Sequence, residues 1–456
     1  MMRKTGGSEN LLGDPRKAVI GMAVPIALAL LIQYINSFAD MFWVSGLGAD
    51  SLAAVSVITP IYSVIVSIGT GIGIGASYAI AKRIGEGNLS GASSASGQAI
   101  VITLMSSVPV LIILLVSAVP LMEYMGASGI MDLCLSYAYP VILSSPLLMI
   151  GGTLSGCFRG EGAAERSTAI LAFASVSNII LDPILIYGLD LGIVGAAYAT
   201  VISSAVSLIP ALYWHRIKKD VLVPVSLKDF RPAKEELKAV SEVGIPQTAE
   251  LIIMSFMSVF FIRSISSAGG TDLVAVFEIG WRMDMILMVP AQAVGSALVP
   301  ILSAAFGMGN AERVKTAFGY AMKISITVML ALMLISMIAA PLNAWVMTLS
   351  ETSARLRPNI TDMLRVSALM FPAFAIIFSS SALLQSMGRG DVSMVMTLSR
   401  NAVIAAVYAY LSSYAVASYM WWGMTVTEIA FGLLTLLVAY LFSLRALRRA
   451  EVSKQS

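Results

Sequence analysis

The chain has 456 residues, of which 58% are apolar and only 12% are charged, and its formal net charge is +3. A soluble protein normally carries roughly 25% charged residues, so this chain cannot cover a water-exposed surface of its size. We therefore expect an integral membrane protein. The near balance of charges also argues against a nucleic-acid partner, because it provides no extended basic surface.

Apolar runs long enough to cross a bilayer follow one another along the chain. A transmembrane helix needs about 20 mostly apolar residues, and charged or glycine-rich segments separate the runs here. We predict an all-α integral membrane protein with twelve transmembrane helices embedded in the lipid bilayer. The predicted spans are 18–46, 52–81, 95–124, 132–157, 166–188, 192–215, 241–267, 272–305, 314–346, 360–387, 392–414 and 420–444.

Lys and Arg residues concentrate in every second connection between these spans. The segment 216–240 is the richest in them, whereas the alternate connections hold only Arg355 and Arg357. Under the positive-inside rule, the basic connections face the cytoplasm. We therefore predict a multi-pass protein of the cell membrane with both termini in the cytoplasm.

Short patterns recur in the two halves of the chain. Gly85-Glu-Gly-Asn88 returns 222 residues later as Gly307-Met-Gly-Asn310, and we match Gly160-Glu-Gly162 with Gly388-Arg-Gly390 at an offset of 228. Glycine-containing turns at matching places in two halves are the signature of an internal repeat.

The repeat predicts two six-helix bundles joined by a linker. We place the N-terminal bundle at 1–215, the cytoplasmic linker at 216–240 and the C-terminal bundle at 241–456. Because each half has an even number of spans, we expect the bundles to be related by a pseudo-two-fold axis along the membrane normal. Such a pair encloses a central cleft and is typical of secondary transporters that work by alternating access.

Ionisable residues inside a membrane span are expensive and usually indicate function. Asp40 in span 1 and Asp182 in span 5 lie in the predicted outer half of the membrane. Each follows an asparagine by four positions, Asn36 and Asn178, which places amide and carboxylate on one helix face. Thr200 in span 6 lies at similar depth. Together these oxygens suit a dehydrated cation such as sodium, with a proton as the alternative occupant and purely structural hydrogen bonding as the alternative explanation.

The second half carries a different set of charges. Glu278 and Arg282 are four residues apart in span 8, so they most simply neutralise each other. Asp284 must then pair elsewhere, with Lys323 or Arg400 as candidates. The sequence alone does not assign further roles to these side chains.

Several chemistries have no motif in this chain. It has no Gly-x4-Gly-Lys-[Ser/Thr] loop, which excludes nucleotide hydrolysis as its energy source. The glycine-rich run Gly69–Gly75 lacks a preceding strand and a lysine, and it predicts close helix packing. His215 is the single histidine, which excludes a histidine-based metal centre. We expect no enzymatic activity and no cofactor.

Several segments resemble the multidrug and toxic compound extrusion (MATE) transporters. The resemblance implies export of cationic or amphipathic small molecules in exchange for inward protons or sodium, and we expect the chain to act as a monomer. The matching segments are Gly13-Asp-Pro-Arg-Lys17, Ala23-Val-Pro25, Ala39-Asp40, Trp43-Val-Ser-Gly-Leu-Gly-Ala-Asp50, Leu52-Ala-Ala54, Asn178-Ile-Ile-Leu-Asp-Pro183 and Gly192-Ile-Val-Gly-Ala-Ala197.

The resemblance also implies which residues serve each role. The family's first-half cation site corresponds to Asp40, Asn178, Asp182 and Thr200, and Pro25 matches the position where span 1 of some relatives bends. Another branch of the family uses acidic residues of spans 7 and 10. This chain keeps Glu250 in span 7, as a candidate for supporting the cation or substrate, but span 10 has no acidic residue, which favours the first-half site.

Two other functions remain open from the sequence. The related lipid-linked oligosaccharide flippases line their cavity with basic residues, and Arg263, Arg282 and Arg400 leave that alternative open. A membrane receptor or scaffold without transport activity is the alternative from a different class.

Overall fold

The computed structural model describes residues 6–224, 232–349, 354–414 and 416–455, and the regular structure of these residues is entirely helical. The predicted linker 216–240 is covered except for 225–231, which lie outside the described residues. The helices, numbered in chain order, are α1 (Gly6–Leu12), α2 (Pro15–Ser45), α3 (Ala49–Gly85), α4 (Leu89–Tyr124), α5 (Met131–Leu143), α6 (Ser145–Gly160), α7 (Ala164–Pro183), α8 (Gly192–Leu212), α9 (Lys234–Leu287), α10 (Val289–Gly307), α11 (Ala311–Met347), α12 (Arg357–Ala368), α13 (Phe371–Ser386), α14 (Gly390–Leu411) and α15 (Ala417–Gln455).

The helices account for the twelve predicted spans. Ten helical segments of the described chain are long and apolar enough to cross a membrane, and two bent pairs bring the number to twelve. The bent pairs are α5 with α6, at 51°, and α12 with α13, at 45°. The prediction of spans 4 and 10 as continuous runs therefore missed a bend in each. Pro146 and Pro372 stand in the first turn of α6 and α13, where a proline fits a helix start but does not continue the preceding helix.

The third interruption lies inside α9, where Gly269 and Gly270 leave the helical conformation. The residues before the break correspond to span 7, and those after it continue into α10 as span 8. Gly270 has a φ of 65°, and Gly48, which precedes α3 at an offset of 222 residues, has a φ of 101°. This left-handed region favours glycine because a Cβ atom clashes there.

Four glycine turns confirm the internal repeat in the backbone. After α3, α6, α10 and α13 the chain turns through a glycine with positive φ, at Gly87, Gly162, Gly309 and Gly388. Each turn is closed by the same backbone hydrogen bond across five residues, as in Asn88 N–H to the Arg83 carbonyl, at 2.9 Å. Positive-φ glycines are a common way to end a helix.

The turns correct one predicted register. Gly87 matches Gly309 at the predicted offset of 222, and Asn88 and Asn310 cap the following helices in the same way. Gly162, however, matches Gly388 and not Gly390, so the offset there is 226 and not 228. The error arose because Gly390 is the first residue of α14, whereas Gly388 occupies the turn.

The predicted packing role of the Gly69–Gly75 run is also found in the structure. Gly69 and Gly73 lie against the backbone of α6, and Gly71 and Gly75 lie against α9. A Cβ atom on any of these glycines would collide with the neighbouring chain. Two interleaved small-residue faces on α3 therefore bring one helix of each half into close contact with it.

The end of the molecule that carries the four glycine turns, here called the turn end, also joins the two halves by polar contacts. Arg83 at the end of α3 pairs with Glu235 and Glu236 at the start of α9, each at 3.1 Å. Arg313 of α11 donates to backbone carbonyls at the end of α1, including that of Leu11 at 2.6 Å. The turn end is thus closed by contacts that cross between the halves.

Candidate functional site

The predicted first-half residues lie on three helices that pack in series. Asp40 and Asn36 are on α2, Asn178 and Asp182 are on α7, and Thr200 is on α8. Helix α7 packs against both α2 and α8. Asp40 lies near the end of α2, Asp182 is the second-last residue of α7, and Thr200 lies in the first half of α8. All are therefore on the side of the bundle away from the turn end, as their predicted common depth requires.

Asp182 is the most deeply buried member of this group. Its side chain is 0% exposed, and Asn178 Nδ2 donates to Asp182 Oδ1 at 3.3 Å. The predicted spacing of one turn therefore produces direct contact. The other carboxylate oxygen, Oδ2, has no hydrogen-bond partner among the described residues. This buried oxygen is therefore available to a water molecule, a bound cation or a proton.

The backbone beside Asp182 departs from the α-helix. Helix α7 ends at Pro183, and Ile184–Gly188 form a π-helical turn in which Leu189 N–H bonds to the Ile184 carbonyl at 2.8 Å. Proline removes one backbone donor and its ring crowds the preceding turn, which explains why the helix changes there. Tyr187 of this turn donates to the Trp43 carbonyl of α2 at 2.5 Å. This contact ties the ends of α2 and α7 together next to the site.

Asp40 completes the cluster from α2. It is half-buried and close enough to Asp182 for the two carboxylates to interact electrostatically. Asp40 Oδ1 and Asn36 Oδ1 are both buried atoms that accept no hydrogen bond from any described residue. The two carboxylates therefore share one polar region inside an apolar bundle.

Two tyrosines belong to the site although the sequence analysis did not select them. Tyr137 of α5 is hydrogen-bonded to Thr200 and interacts electrostatically with Asp40 and Asp182. Tyr62 of α3 also interacts electrostatically with Asp40. Both are in the middle of apolar runs, where a phenol needs a polar partner. This position in the sequence could have marked them as candidate site residues. Their contacts with distant helices could be found only from the fold.

This donor set suits a hard cation or a proton. Carboxylate, amide and hydroxyl oxygens are the ligands that alkali and alkaline-earth ions prefer, and the unsatisfied oxygens of Asp40 and Asp182 provide the charge. Within the described residues no group of three or more His, Cys, Asp or Glu side chains is placed to hold a metal ion. The charged donors in this region are therefore Asp40 and Asp182, with neutral amide and hydroxyl oxygens beside them.

The remaining predicted residues lie elsewhere. Pro25 is inside α2, which continues unbroken from Pro15 to Ser45, so the expected hinge is not visible as a helix break. Glu250 is on α9 in the second half, where it is hydrogen-bonded to Thr397 and Gln247. It is not part of the first-half cluster.

The second-half charges pair differently from the prediction. Glu278 and Arg282 approach each other at 3.9 Å, as expected. Arg400, however, pairs with Glu428 of α15 at 3.4 Å and not with Asp284. Asp284 is 0% exposed, and the side chain that interacts with its carboxyl group is that of Ser367 on α12. The pairing of Arg400 could not be predicted because Glu428 is on a different helix, 28 residues away in the chain.

The fold and this site define a multi-pass helical membrane protein with a buried acidic centre. The MatE family model matches residues 25–184 and 246–411 of the chain. The multidrug export protein MepA of Staphylococcus aureus (strain N315) is 25% identical over 428 residues, which cover 93% of this chain and 93% of MepA.

Solved structures agree over nearly the whole chain. A MATE crystallised in complex with MaL6 is 32% identical, with a TM-score of 0.94 over 98% of this chain and 100% of that one. A MOP superfamily transporter from Pyrococcus furiosus Vc1 is also 32% identical, with a TM-score of 0.93 over 98% of this chain and 99% of that one. The chain belongs to the MatE family of multidrug efflux transporters. It is a membrane transporter and not an enzyme.

Proposed function

We propose that this transporter is an antiporter that exports cationic or amphipathic compounds in exchange for one inward-moving cation, a proton or a sodium ion. The single observation that carries the coupling step is the pair Asp40 and Asp182. They are close enough to interact, and within the described residues each keeps a buried oxygen without a hydrogen-bond partner and neither forms an ion pair with a basic side chain. Two carboxylates inside an apolar bundle need a positive ion.

The proposed coupling ion is held by Asp40, Asn178, Asp182 and Thr200, with Asn36 in support. Asn178 already orients one Asp182 oxygen, which leaves the other for the ion. Binding of a cation would draw α2 and α7 together through the two carboxylates. Because Pro25 leaves one turn of α2 without its full set of backbone hydrogen bonds, we place the accompanying bend of α2 there. Relatives of 30–31% identity have been crystallised in a straight and a bent conformation.

Alternating access requires the closed end to open. The contacts that would have to break are the seam of α3 against α9 and the pairs of Arg83 with Glu235 and Glu236. We place this turn end on the cytoplasmic side, with both chain termini, since the basic connections concentrate there. In the cell membrane this arrangement would admit the cation from outside and release it inside.

The energy available from one charge is sufficient for useful export. An elementary charge that moves inward through 100 mV supplies about 2.3 kcal/mol. If wholly coupled, that energy sustains roughly a fifty-fold substrate gradient.

The test is gradient-driven export by the purified protein in lipid vesicles. An imposed proton gradient and an imposed sodium gradient are applied separately to the wild type and to Asp40→Asn and Asp182→Asn, and export of a fluorescent organic cation is followed. We expect the wild type to respond to one gradient and both variants to lose the response. Asp190→Asn is the matched control, because Asp190 is an exposed aspartate of the same half whose positive φ suits asparagine.

Undiminished gradient-driven export by both site variants would disprove the coupling role of the pair. Antiport itself would be disproved if the wild type exports the organic cation equally well without any imposed ion gradient and responds to neither the proton nor the sodium gradient. The MatE match favours drug export over the flippase and receptor alternatives, and export of the organic cation distinguishes them directly.

A further inference from the structure

The short helix α1 lies between the two halves at the turn end. It is joined to α2 through Gly13 and Asp14, and it packs against α2 and α3 of the first half and against α10 of the second. Leu11 of α1 is 0% exposed and belongs to an apolar cluster that residues of α3 and α10 also form. A helix of seven residues is not stable by itself in water, so these contacts hold it in place.

The first half holds α1 through a side-chain hydrogen bond as well as through the chain itself. Asn10 Nδ2 donates to the carbonyl oxygen of Gly162 at 3.0 Å. Gly162 is the positive-φ glycine of the turn between α6 and α7. The bond therefore fixes α1 to one of the four glycine turns of the turn end.

The second half holds α1 through one arginine. The guanidinium of Arg313, in the first turn of α11, donates to three successive backbone carbonyls. These are the carbonyls of Leu11 at 2.6 Å, of Leu12 at 3.4 Å and of Gly13. The last carbonyls of a helix have no partner within that helix. Arg313 therefore caps α1 from the other half of the molecule, with its positive charge at the negative end of the helix dipole.

These contacts oppose opening of the turn end. Opening would separate α10 and α11 from the Gly162 turn, whereas α1 is bonded to both sides. The carbonyls released by Arg313 would then lose a charged donor, and Leu11 would lose part of its apolar surroundings. The contacts of α1 therefore favour the closed arrangement. They involve other residues than the seam of α3 against α9 and the ion pairs of Arg83.

We propose that α1 is a latch that stabilises the state closed at the turn end, and that Arg313 fastens this latch to the second half. Release of Arg313 from the carbonyls of α1 is then part of each opening step. This inference rests on the proposed alternating access. It adds a gating helix and a positioning residue at the end of the molecule opposite Asp40 and Asp182.

The test measures how often the turn end opens. Spin labels are attached at Glu165→Cys in the first turn of α7 and at Asp391→Cys in the first turn of α14, which are exposed and equivalent positions of the two halves. The two native cysteines are buried and should not be labelled. Pulsed electron paramagnetic resonance of the purified full chain in lipid vesicles gives the distances between the labels, with and without an imposed ion gradient. The long distance reports the open end.

Substitutions at the two fastenings should shift the ratio of open to closed molecules. Arg313→Met should raise it about tenfold, because α1 loses the hydrogen bonds of a charged donor. Arg313→Lys should have an intermediate effect, since an ammonium group keeps the charge but not the fork of donors. Asn10→Ala should raise the ratio less, by freeing α1 from the Gly162 turn. Lys315→Met is the matched control, because it removes an exposed positive charge from the same helix and should leave the ratio unchanged.

A deletion separates the latch from a general effect of Arg313 on the fold. Deletion of residues 2–13 removes α1 and all three carbonyls, but it leaves Asp14, which caps α2 by accepting a hydrogen bond from Arg16 N–H at 2.8 Å. The deleted chain should also open more often than the wild type. Arg313→Met should have no further effect in it, because the partners of Arg313 on α1 are gone.

An Arg313→Met ratio equal to that of the wild type would overturn the latch, and so would a further rise when Arg313→Met is added to the deleted chain. If either chain fails to fold, Asn10→Ala and Arg313→Lys decide, because an unchanged ratio in both would overturn it equally. A wild type that shows only the short distance under every gradient would refute alternating access itself at this end. The coupling role of Asp40 and Asp182 is tested separately, by gradient-driven export.

Discussion

The two halves of this transporter share a backbone plan but differ in how their buried carboxylates are paired. In the first half, Asp40 and Asp182 interact with each other, and each keeps an unpartnered oxygen. In the second half, Glu428 pairs with Arg400, which also acts electrostatically on Glu250. The acidic pair of the first half thus has no basic partner among the described residues, whereas Glu428 of the second half has Arg400.

The difference indicates how a duplicated fold can divide its work. An acidic pair without a basic partner can exchange its cation during each cycle. A pair with a tethered guanidinium cannot release that charge. Of the two charge patterns, the one in the first half therefore fits the coupling role proposed above.

The sharpest test of this contrast is the stability of charge-removing variants. Arg400→Met should destabilise the protein by about 3–5 kcal/mol, because it leaves buried carboxylates without their cation. Asp182→Asn should cost little or raise the melting temperature, since it removes an uncompensated charge. Melting temperatures of the purified protein measure both effects. If Asp182→Asn is as damaging as Arg400→Met, the two halves do not differ in this way.

A smaller effect is expected where the halves meet. A Cβ atom on Gly75 of α3 would collide with the backbone of Val240 and Gly244 in α9. Gly75→Ala should therefore cost about 1–3 kcal/mol by forcing the helices apart, and it should slow transport. Gly319→Ala is the matched control, because nothing lies within 4 Å of a Cβ atom at that helical position. Equal melting temperatures for the two variants would contradict close packing at this seam.

The repeat itself can be tested through its helix caps. Asn88 accepts a hydrogen bond from Gly91 N–H at 2.8 Å, and Asn310 accepts one from Arg313 N–H at 3.0 Å. Replacement of either asparagine by alanine should cost about 1 kcal/mol, and the double variant measures whether the two losses add, since the two turns lie close together. Urea titration or thermal melting of the single and double variants checks this. Strongly unequal losses would show that the two turns are not equivalent.

The weakest expected effect is local and depends on pH. Glu161, in the turn before α7, accepts a hydrogen bond from Val223 N–H at 3.0 Å, and by the 226-residue register its counterpart is Met387. Burial raises the pKa of the Glu161 carboxyl to about 7 from 4.5, although the Val223 amide and Arg166 act to lower it. A raised folded-state pKa means that the stabilisation is complete below about pH 4.5 and is lost as the pH rises through 7.

Hydrogen exchange at Val223, corrected for its intrinsic pH dependence, should therefore show protection that falls between pH 5 and pH 8. Glu161→Gln should remove this slope, because glutamine does not titrate. Persistence of the same slope in that variant would assign the pH dependence to a group other than Glu161.

Much of this molecule could be predicted because the bilayer imposes simple rules on a sequence. Runs of about 20 apolar residues can only be spans, and charges inside them are rare enough to stand out. Asp40 and Asp182 were found in this way, and the asparagines one turn before them followed from helical periodicity. The glycine turns were also visible, although the sequence alone misplaced one by two residues, since two glycines flank Arg389.

The contacts between helices were beyond the reach of such rules. Tyr137 of α5 and Tyr62 of α3 lie near the acidic pair. Glu428 of α15 forms an ion pair with Arg400 of α14. Each partner is far away in the chain, and a lone polar residue in an apolar run gives no indication of which helix it faces. The bends before Pro146 and Pro372 were missed for a related reason, since proline fits both a helix start and a tolerated kink.

The amino-acid sequence by itself determined that this chain crosses the membrane repeatedly, that it is built from two related halves and that its first half holds two exceptional carboxylates. These properties depend on composition and on spacing within single helices, which water, lipid and helical geometry govern locally. Only the tertiary structure decided which carboxylates lie beside each other and which are held by an arginine. That choice depends on how helices distant in sequence pack, because an electrostatic partner inside a membrane is chosen by proximity in space.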